Sequence, residues 1–332
     1  MERYVPHPRL TNRHRMTLFA WGRPRALSGL PEPTPRLFDV SADTRVLAHC
    51  HWQPRPWRHP TLLVLHGLEA SSHAHYMRGL SDKAFRAGMN AIRLNQRNCG
   101  GTEHLSPGLY HSGLTADPAA VIRELIDVDG LPAIAVAGYS VGGNLALKLA
   151  GDWGREAPPQ LQSVCAVSPT MDLERCVVAL ESPRNRVYEW NFVRNLKRRM
   201  RRKSRLFPGQ FPLNGLAAIR TVRQFDEAFT APHHGFLGAH DYYTRASALR
   251  VLHRIHVPTL ILTAEDDPFV PPEPFRDTAV TSNPAITVVV TPHGGHCGFV
   301  SSSRSYEDDG YWAERMVVEF AMGTVSAGSL LP

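Results

Sequence analysis

Ala133-Ile-Ala-Val-Ala-Gly138-Tyr139-Ser140-Val141-Gly142-Gly143-Asn144-Leu-Ala-Leu-Lys-Leu-Ala150 is the stretch that decides the fold. Its first five residues form a short apolar run of strand length, and from Gly143 onward the residues are helix formers. Between them, Gly138-x-Ser140-x-Gly142 has the spacing of a nucleophile elbow, a sharp strand-to-helix turn that lifts a serine hydroxyl clear of a sheet. Glycine on each side permits the tight turn, and the free N–H groups opening the helix favour negative charge developing beside the serine. The bare GxSxG pattern is a weak signal. A strand before it and a helix after it make it specific.

A serine is a poor nucleophile until a base takes its proton, so Ser140 requires a histidine and a carboxylate to orient that histidine. Both follow in the order such an elbow demands. Asp267 lies in Ala264-Glu-Asp-Asp-Pro-Phe-Val, after the apolar run Thr259-Leu-Ile-Leu-Thr, and His296 lies in His293-Gly-Gly-His-Cys-Gly-Phe, after Ile286-Thr-Val-Val-Val. Asp266 and Glu265 compete with Asp267; the residue before a proline is held extended, and this favours Asp267. His293 competes with His296, whose flanking glycines suit a tight presenting loop. The oxyanion of an acyl-transfer intermediate needs two N–H donors. Val141, after the nucleophile, is expected to supply one, and Leu68, in the loop His66-Gly-Leu-Glu-Ala-Ser-Ser after the run Thr61-Leu-Leu-Val-Leu, the other.

Outward from this centre, short apolar runs alternate with amphipathic stretches, the pattern of an α/β protein with a mostly parallel central sheet and helices on both faces. The strand-like runs also include Asn90-Ala-Ile-Arg-Leu and Ser163-Val-Cys-Ala-Val, and helices are expected near 73–87, 115–128, 142–153, 272–281 and 311–322. Arg36-Leu-Phe-Asp-Val and Arg45-Val-Leu-Ala-His-Cys-His-Trp read as an antiparallel opening pair. The alternation lapses over 170–250, which contains no convincing strand and reads as an inserted helical cap over a core of 35–169 and 251–324. Residues 1–34, rich in Pro, Arg and His, read as a surface arm and not as a packed element.

The flanks of these motifs resemble the YheT-like branch of the α/β hydrolases, related to the abhydrolase-domain proteins 1, 3 and 15 and to yeast medium-chain ester synthases. The resemblance covers roughly 35–322. It rests on His66-Gly-Leu with Ser71-Ser72, Asn95-Gln-Arg-Asn-Cys-Gly-Gly, Tyr110-His-Ser-Gly with Asp117, Gly138-Tyr-Ser-Val-Gly-Gly-Asn, Asp266-Asp-Pro-Phe and His293-Gly-Gly-His-Cys-Gly-Phe. It implies the α/β-hydrolase fold, a Ser140–Asp267–His296 triad and hydrolysis or transfer of carboxylic-ester acyl groups of medium or lipid-like chain length. Ala70 and Asn98 stand where the family usually carries glycine, which puts loop shape near the oxyanion site in question. Arg97 and His111 are expected to support the site structurally.

The chain has 332 residues and a formal charge of +7, a bias toward anionic surfaces. Lys197, Arg198, Arg199, Arg201, Arg202 and Lys203 crowd around Met200, with Arg205 just beyond. They read either as a solvated helix face or as a contact for an anionic membrane; no motif for nucleic acid accompanies them. The histidine pairs His73/His75 and His233/His234 lack an accompanying carboxylate pattern, so no metal and no cofactor is expected. Five scattered cysteines without CxxC spacing read as reduced thiols. With neither a secretory signal nor a run of about 20 apolar residues, a cytoplasmic protein is expected, peripheral to the membrane at most. Three functions compete: ester hydrolase acting on a small-molecule ester, acyltransferase using the same residues, and noncatalytic binding protein of hydrolase fold.

Overall fold

The computed structural model describes residues 2–25, 27, 29–302 and 309–328. Eight strands form one sheet: β1 (Thr34–Ser41), β2 (Thr44–His51), β3 (Thr61–Leu65), β4 (Asn90–Leu94), β5 (Ile134–Tyr139), β6 (Leu161–Val167), β7 (Thr259–Ala264) and β8 (Ile286–Thr291). Their order is β1-β2-β4-β3-β5-β6-β7-β8. β2 runs antiparallel to β1 and β4, and every other neighbouring pair is parallel. Four helices precede β6: α1 (Arg13–Gly22), α2 (His75–Arg86), α3 (Ala116–Asp127) and α4 (Val141–Trp153). Between β6 and β7 come α5 (Leu173–Leu180), α6 (Arg186–Leu206), α7 (Val222–Phe225), α8 (Ala231–His233) and α9 (Ala239–Ala246), with no strand among the described residues. α10 (Thr278–Thr281) precedes β8, and α11 (Trp312–Gly328) follows it.

In the central strands β3, β5, β6 and β7 side chains alternate between two cores, which is why these runs are mainly apolar on both faces. Leu63, Leu65, Ile92 and Val136 face Val121 and Ile122 of α3 and Leu145 and Leu149 of α4. Leu62, Val64, Ala135 and Leu262 face Met77 and Leu80 of α2 and Trp312 and Met316 of α11. Each large aliphatic side chain withdrawn from water in this way contributes about 1.5–3 kcal/mol.

Two elements depart from the sequence-based expectation. The 1–34 segment contains α1, whose N-cap Asn12 accepts hydrogen bonds from the His14 and Arg15 amides, both at 3.1 Å. α1 buries Met16 and Ala20 in the second core, so this segment has a packed inner face. The helix expected over 272–281 is broken into a 3₁₀ turn (Glu273–Arg276) and α10, because Asp277 adopts an extended backbone and its side chain caps Ala279 N–H at 2.8 Å. Pro271, Pro272 and Pro274 also deny the first turn its donors.

The elbow fixes the seating of α4 on the sheet. Ser140 sits at φ 54°, ψ −118°, a backbone conformation that costs a residue with a side chain about 1–3 kcal/mol. A Cβ on Gly142 would lie 2.3 Å from the Leu65 carbonyl oxygen and 2.6 Å from that of His66. We therefore expect Gly142→Ala to destabilise the protein by about 3 kcal/mol, read as a lowered urea midpoint.

Candidate active site

Ser140 ends β5 and begins α4, Asp267 lies in the turn after β7, and His296 lies in the loop after β8, so all three stand at the carboxyl edge of the sheet. Two of them meet directly. His296 Nδ1 is 2.9 Å from Asp267 Oδ2 and 3.1 Å from Oδ1. The Asp267 side chain is fully buried, and its Oδ1 also accepts hydrogen bonds from the Phe269 amide at 2.8 Å and the Val270 amide at 3.0 Å. With Nδ1 on the carboxylate, Nε2 is the ring nitrogen left to receive a proton.

The serine and histidine loops are tied to the same end of β6. The Ser140 amide donates to Val167 O at 2.9 Å, and the amide of Cys297, next to His296, donates to Ser168 Oγ at 3.1 Å. The His296 amide donates to Thr17 Oγ1 of α1 at 2.9 Å, and its ring stands edge-on to Phe269 with centroids 4.7 Å apart. Asp266 is engaged elsewhere: it accepts from the Gly295 amide at 2.9 Å and pairs with the half-exposed His293 at 3.2 Å. The two Asp/His alternatives open in the sequence are thus sorted into one buried pair and one outer pair.

The loop after β3 approaches the serine closely enough that a Cβ on Gly67 would lie 3.2 Å from Ser140 Cβ. Leu68 follows directly. Val141 occupies the first position of α4, where an amide has no intrahelical acceptor. His66 is structural: Nε2 accepts from the Gln96 amide at 3.1 Å, so Nδ1 carries the hydrogen and donates to Gly67 O at 2.8 Å. Burial pushes its imidazole down to about 4. The two departures from glycine are accommodated. Asn98 adopts φ 64°, a left-handed conformation that asparagine tolerates, and Ala70 is not among the residues of positive φ. Arg97 clamps Asp117 through two hydrogen bonds of 2.6 Å, and His111 packs among the rings of His234, Phe236 and Tyr242.

One cluster beside Leu68 escaped the sequence reading. Glu69, at φ 55°, has a buried side chain paired with Arg199 of α6 at 2.8 Å; its amide donates to Tyr110 Oη at 3.3 Å, and that hydroxyl donates back to Glu69 Oε1 at 3.2 Å. Burial raises the Glu69 carboxyl, and Arg199 and Tyr110 pull against it. Lys203 is also buried and donates to the Glu103 and Ser106 carbonyls, while Arg202 pairs with Glu103 at 2.7 Å. The basic stretch is therefore not a uniform solvated face: Arg199 and Lys203 share the inner face with Val193, Leu196 and Met200. Their i, i+3, i+4 and i+7 spacing from Leu196 was the available signal.

Burial opposes the charged form of His296, but the Asp267 carboxylate, with Cys297 adding to it, outweighs that and raises its pKa well above the ordinary value. We expect an imidazole titration by NMR to place His296 above the usual ~6.5, and Asp267→Asn to move its midpoint downward, because burial then acts without the carboxylate. Asp266→Asn leaves that midpoint in place. Arg199→Met strands the Glu69 carboxylate and is expected to cost about 3 kcal/mol in urea unfolding.

Comparison with known proteins matches the profile of the alpha/beta hydrolase fold family to residues 60–303. YheT of Escherichia coli (strain K12), provisionally named an esterase, is 34% identical over 81% of this chain and 78% of its own. The mouse phospholipase ABHD3 is 30% identical over 73% of this chain, which spans only 58% of that protein. Among solved structures, the Pyrococcus furiosus esterase Pf2001 superimposes with a TM-score of 0.58 at 15% identity, covering 91% of this chain and 99% of that one, a likeness of fold. With the nucleophile elbow, the sheet order and these matches together, the chain belongs to the α/β-hydrolase family, in the branch that contains YheT.

Proposed function

We propose that this protein hydrolyses carboxylic esters through an acyl-enzyme on Ser140. The observation that carries the reading is the buried Asp267 held 2.9 Å from His296 Nδ1 at the sheet edge that bears the Ser140 elbow. In this mechanism His296, in the neutral form that exists above its raised midpoint, takes the hydroxyl proton through Nε2 as Ser140 Oγ attacks the acyl carbon. The amides of Leu68 and Val141 receive the oxyanion, and His296 returns the proton to the leaving alcohol. Water, deprotonated by the same imidazole, then releases the acid.

We assign 170–250 as a cap over this edge and the acyl chain to its underside. A cavity of about 30 Å³ beside Leu68, walled by Leu196 and Met200 of α6 with Phe225 and Thr230, supports that assignment. Its size is that of a single water, so a medium or lipid-like acyl chain enters only if α6 shifts. Among the described residues no helix is long and apolar enough to cross a membrane. Within the 197–205 stretch we keep an anionic-surface role only for Arg198, Arg201 and Arg205, which remain exposed; the equally exposed Arg202 is committed to Glu103.

A fluorophosphonate probe is expected to label the native protein and not Ser140→Ala. Against p-nitrophenyl esters graded from acetate to palmitate, kcat should fall about 10⁶-fold in Ser140→Ala and about 10⁴-fold in Asp267→Asn. Asp266→Asn, whose amide oxygen still accepts from Gly295, should retain the native order of magnitude. Absence of labelling in folded protein would overturn the enzyme assignment. Product appearing as a new ester when an alcohol is supplied, in place of free acid, would convert the hydrolase into an acyltransferase.

A further inference from the structure

We propose that the outer face of α1, together with the first two turns of α6, is a docking surface for an anionic lipid interface, set at the entrance to the candidate active site. The inner face of α1 is spent on the core, through Met16 and Ala20. Its outer face leaves Leu18 52%, Phe19 38% and Trp21 72% exposed, and α6 leaves Val187 75% and Trp190 59% exposed. Scattered exposed apolar residues are ordinary, but large ones grouped on two adjoining helices are not.

The helices adjoin through a specific contact. His14 of α1 and Tyr188 of α6 stack at 5.8 Å and share a hydrogen bond of 3.2 Å. From Tyr188 the contacts run inward, to Phe269 at 4.7 Å and from Phe269 to His296 at 4.7 Å. Thr17, on the inner face of α1, accepts the His296 amide hydrogen. An amphiphile held at this surface is therefore beside the loop that carries the histidine.

Charge selects the occupant. From Arg3 to Pro31 the sequence has six arginines and no acidic residue. Of these, Arg25 is consumed by Asp309 and Glu314, while Arg15 and Arg23 are exposed on and just after α1. On α6, Arg186 and Arg194 are exposed, and the one acidic residue of that helix, Glu189, is turned inward to accept the Val222 amide. Arginine around tryptophan, leucine and phenylalanine on one helix face is the composition of a helix that lies in an anionic interface, with its rings below the headgroups and its cations among them.

The experiment uses the full chain carrying Ser140→Ala, so that binding is read without turnover and stands apart from the ester-hydrolase reading. The native surface is expected to float with phosphatidylglycerol/phosphatidylcholine vesicles, with a blue shift of tryptophan emission, and to be released by salt. Leu18→Ser with Trp21→Ser should lower the partition coefficient at least about tenfold, as expected for two large apolar groups removed from the interface. An unchanged melting temperature controls for folding. Arg15→Gln with Arg186→Gln should weaken binding to the anionic vesicles and reduce its salt dependence. The proposal is overturned by failure of the unaltered surface to bind anionic vesicles, by binding that these substitutions leave intact, or by equal, salt-insensitive binding to phosphatidylcholine alone. It is equally overturned if the protein binds no vesicles but forms a dimer that Leu18→Ser with Trp21→Ser dissociates; a second copy of the chain is then the occupant.

Discussion

The close backbone contact at Gly142, where the first turn of α4 rests on the Leu65 and His66 carbonyls, is the constraint on which the rest depends. Because no side chain intervenes, α4 begins at the sheet edge itself. Ser140 is forced into its positive-φ turn, and the loop after β3 is drawn so close that a Cβ on Gly67 would stand 3.2 Å from that of the serine. The two ends of one packing contact thus bring together the expected nucleophile and both expected oxyanion donors. The strain at Ser140 is held by the two cores that α4 and β5 share with their neighbours, whose burial greatly exceeds it.

The carboxylate and histidine are fixed by a different device. Asp267 is locked by the Phe269 and Val270 amides, both on Oδ1, so its side chain has one orientation and Oδ2 is left for His296. His296 is fixed at both ends, through its ring by Asp267 and through its amide by Thr17. A pair arranged in this way stabilises an imidazolium at the moment a proton is taken up, without reorganisation of the surroundings.

The Glu69–Arg199 pair links the loop after β3 to the helices between β6 and β7. Buried ion pairs add little net stability, because desolvation offsets attraction, but removal of one member is costly, so such a pair holds position more than it adds strength. Here the position held is that of the residue next to Leu68, and the holder is the same helix, α6, that walls the cavity. A movement of α6 and the shape of the loop after β3 are coupled by this contact.

The alternation of runs, the elbow and the order serine, carboxylate, histidine were determined by the sequence itself, because strand and helix periodicity, proline and glycine act over a few residues and leave local patterns. Expected and observed central strands agree for the same reason: a strand buried on both faces of a sheet is mainly apolar along its length. Three features were decided only by the tertiary structure. Asp267 and Asp266 are chemically alike, and only the paths of the β7 and β8 loops assign one to His296 and the other to His293. Residues 1–34 look like an arm by composition, and α1 gains its packed face only when the loop carrying His296 provides a surface for Met16 and Thr17. Arg199 and Lys203 belong to a stretch whose charge argues for water. They turn inward because Glu69 and the carbonyls of Glu103 and Ser106, distant in sequence, supply the partners without which a buried cation is too costly to keep.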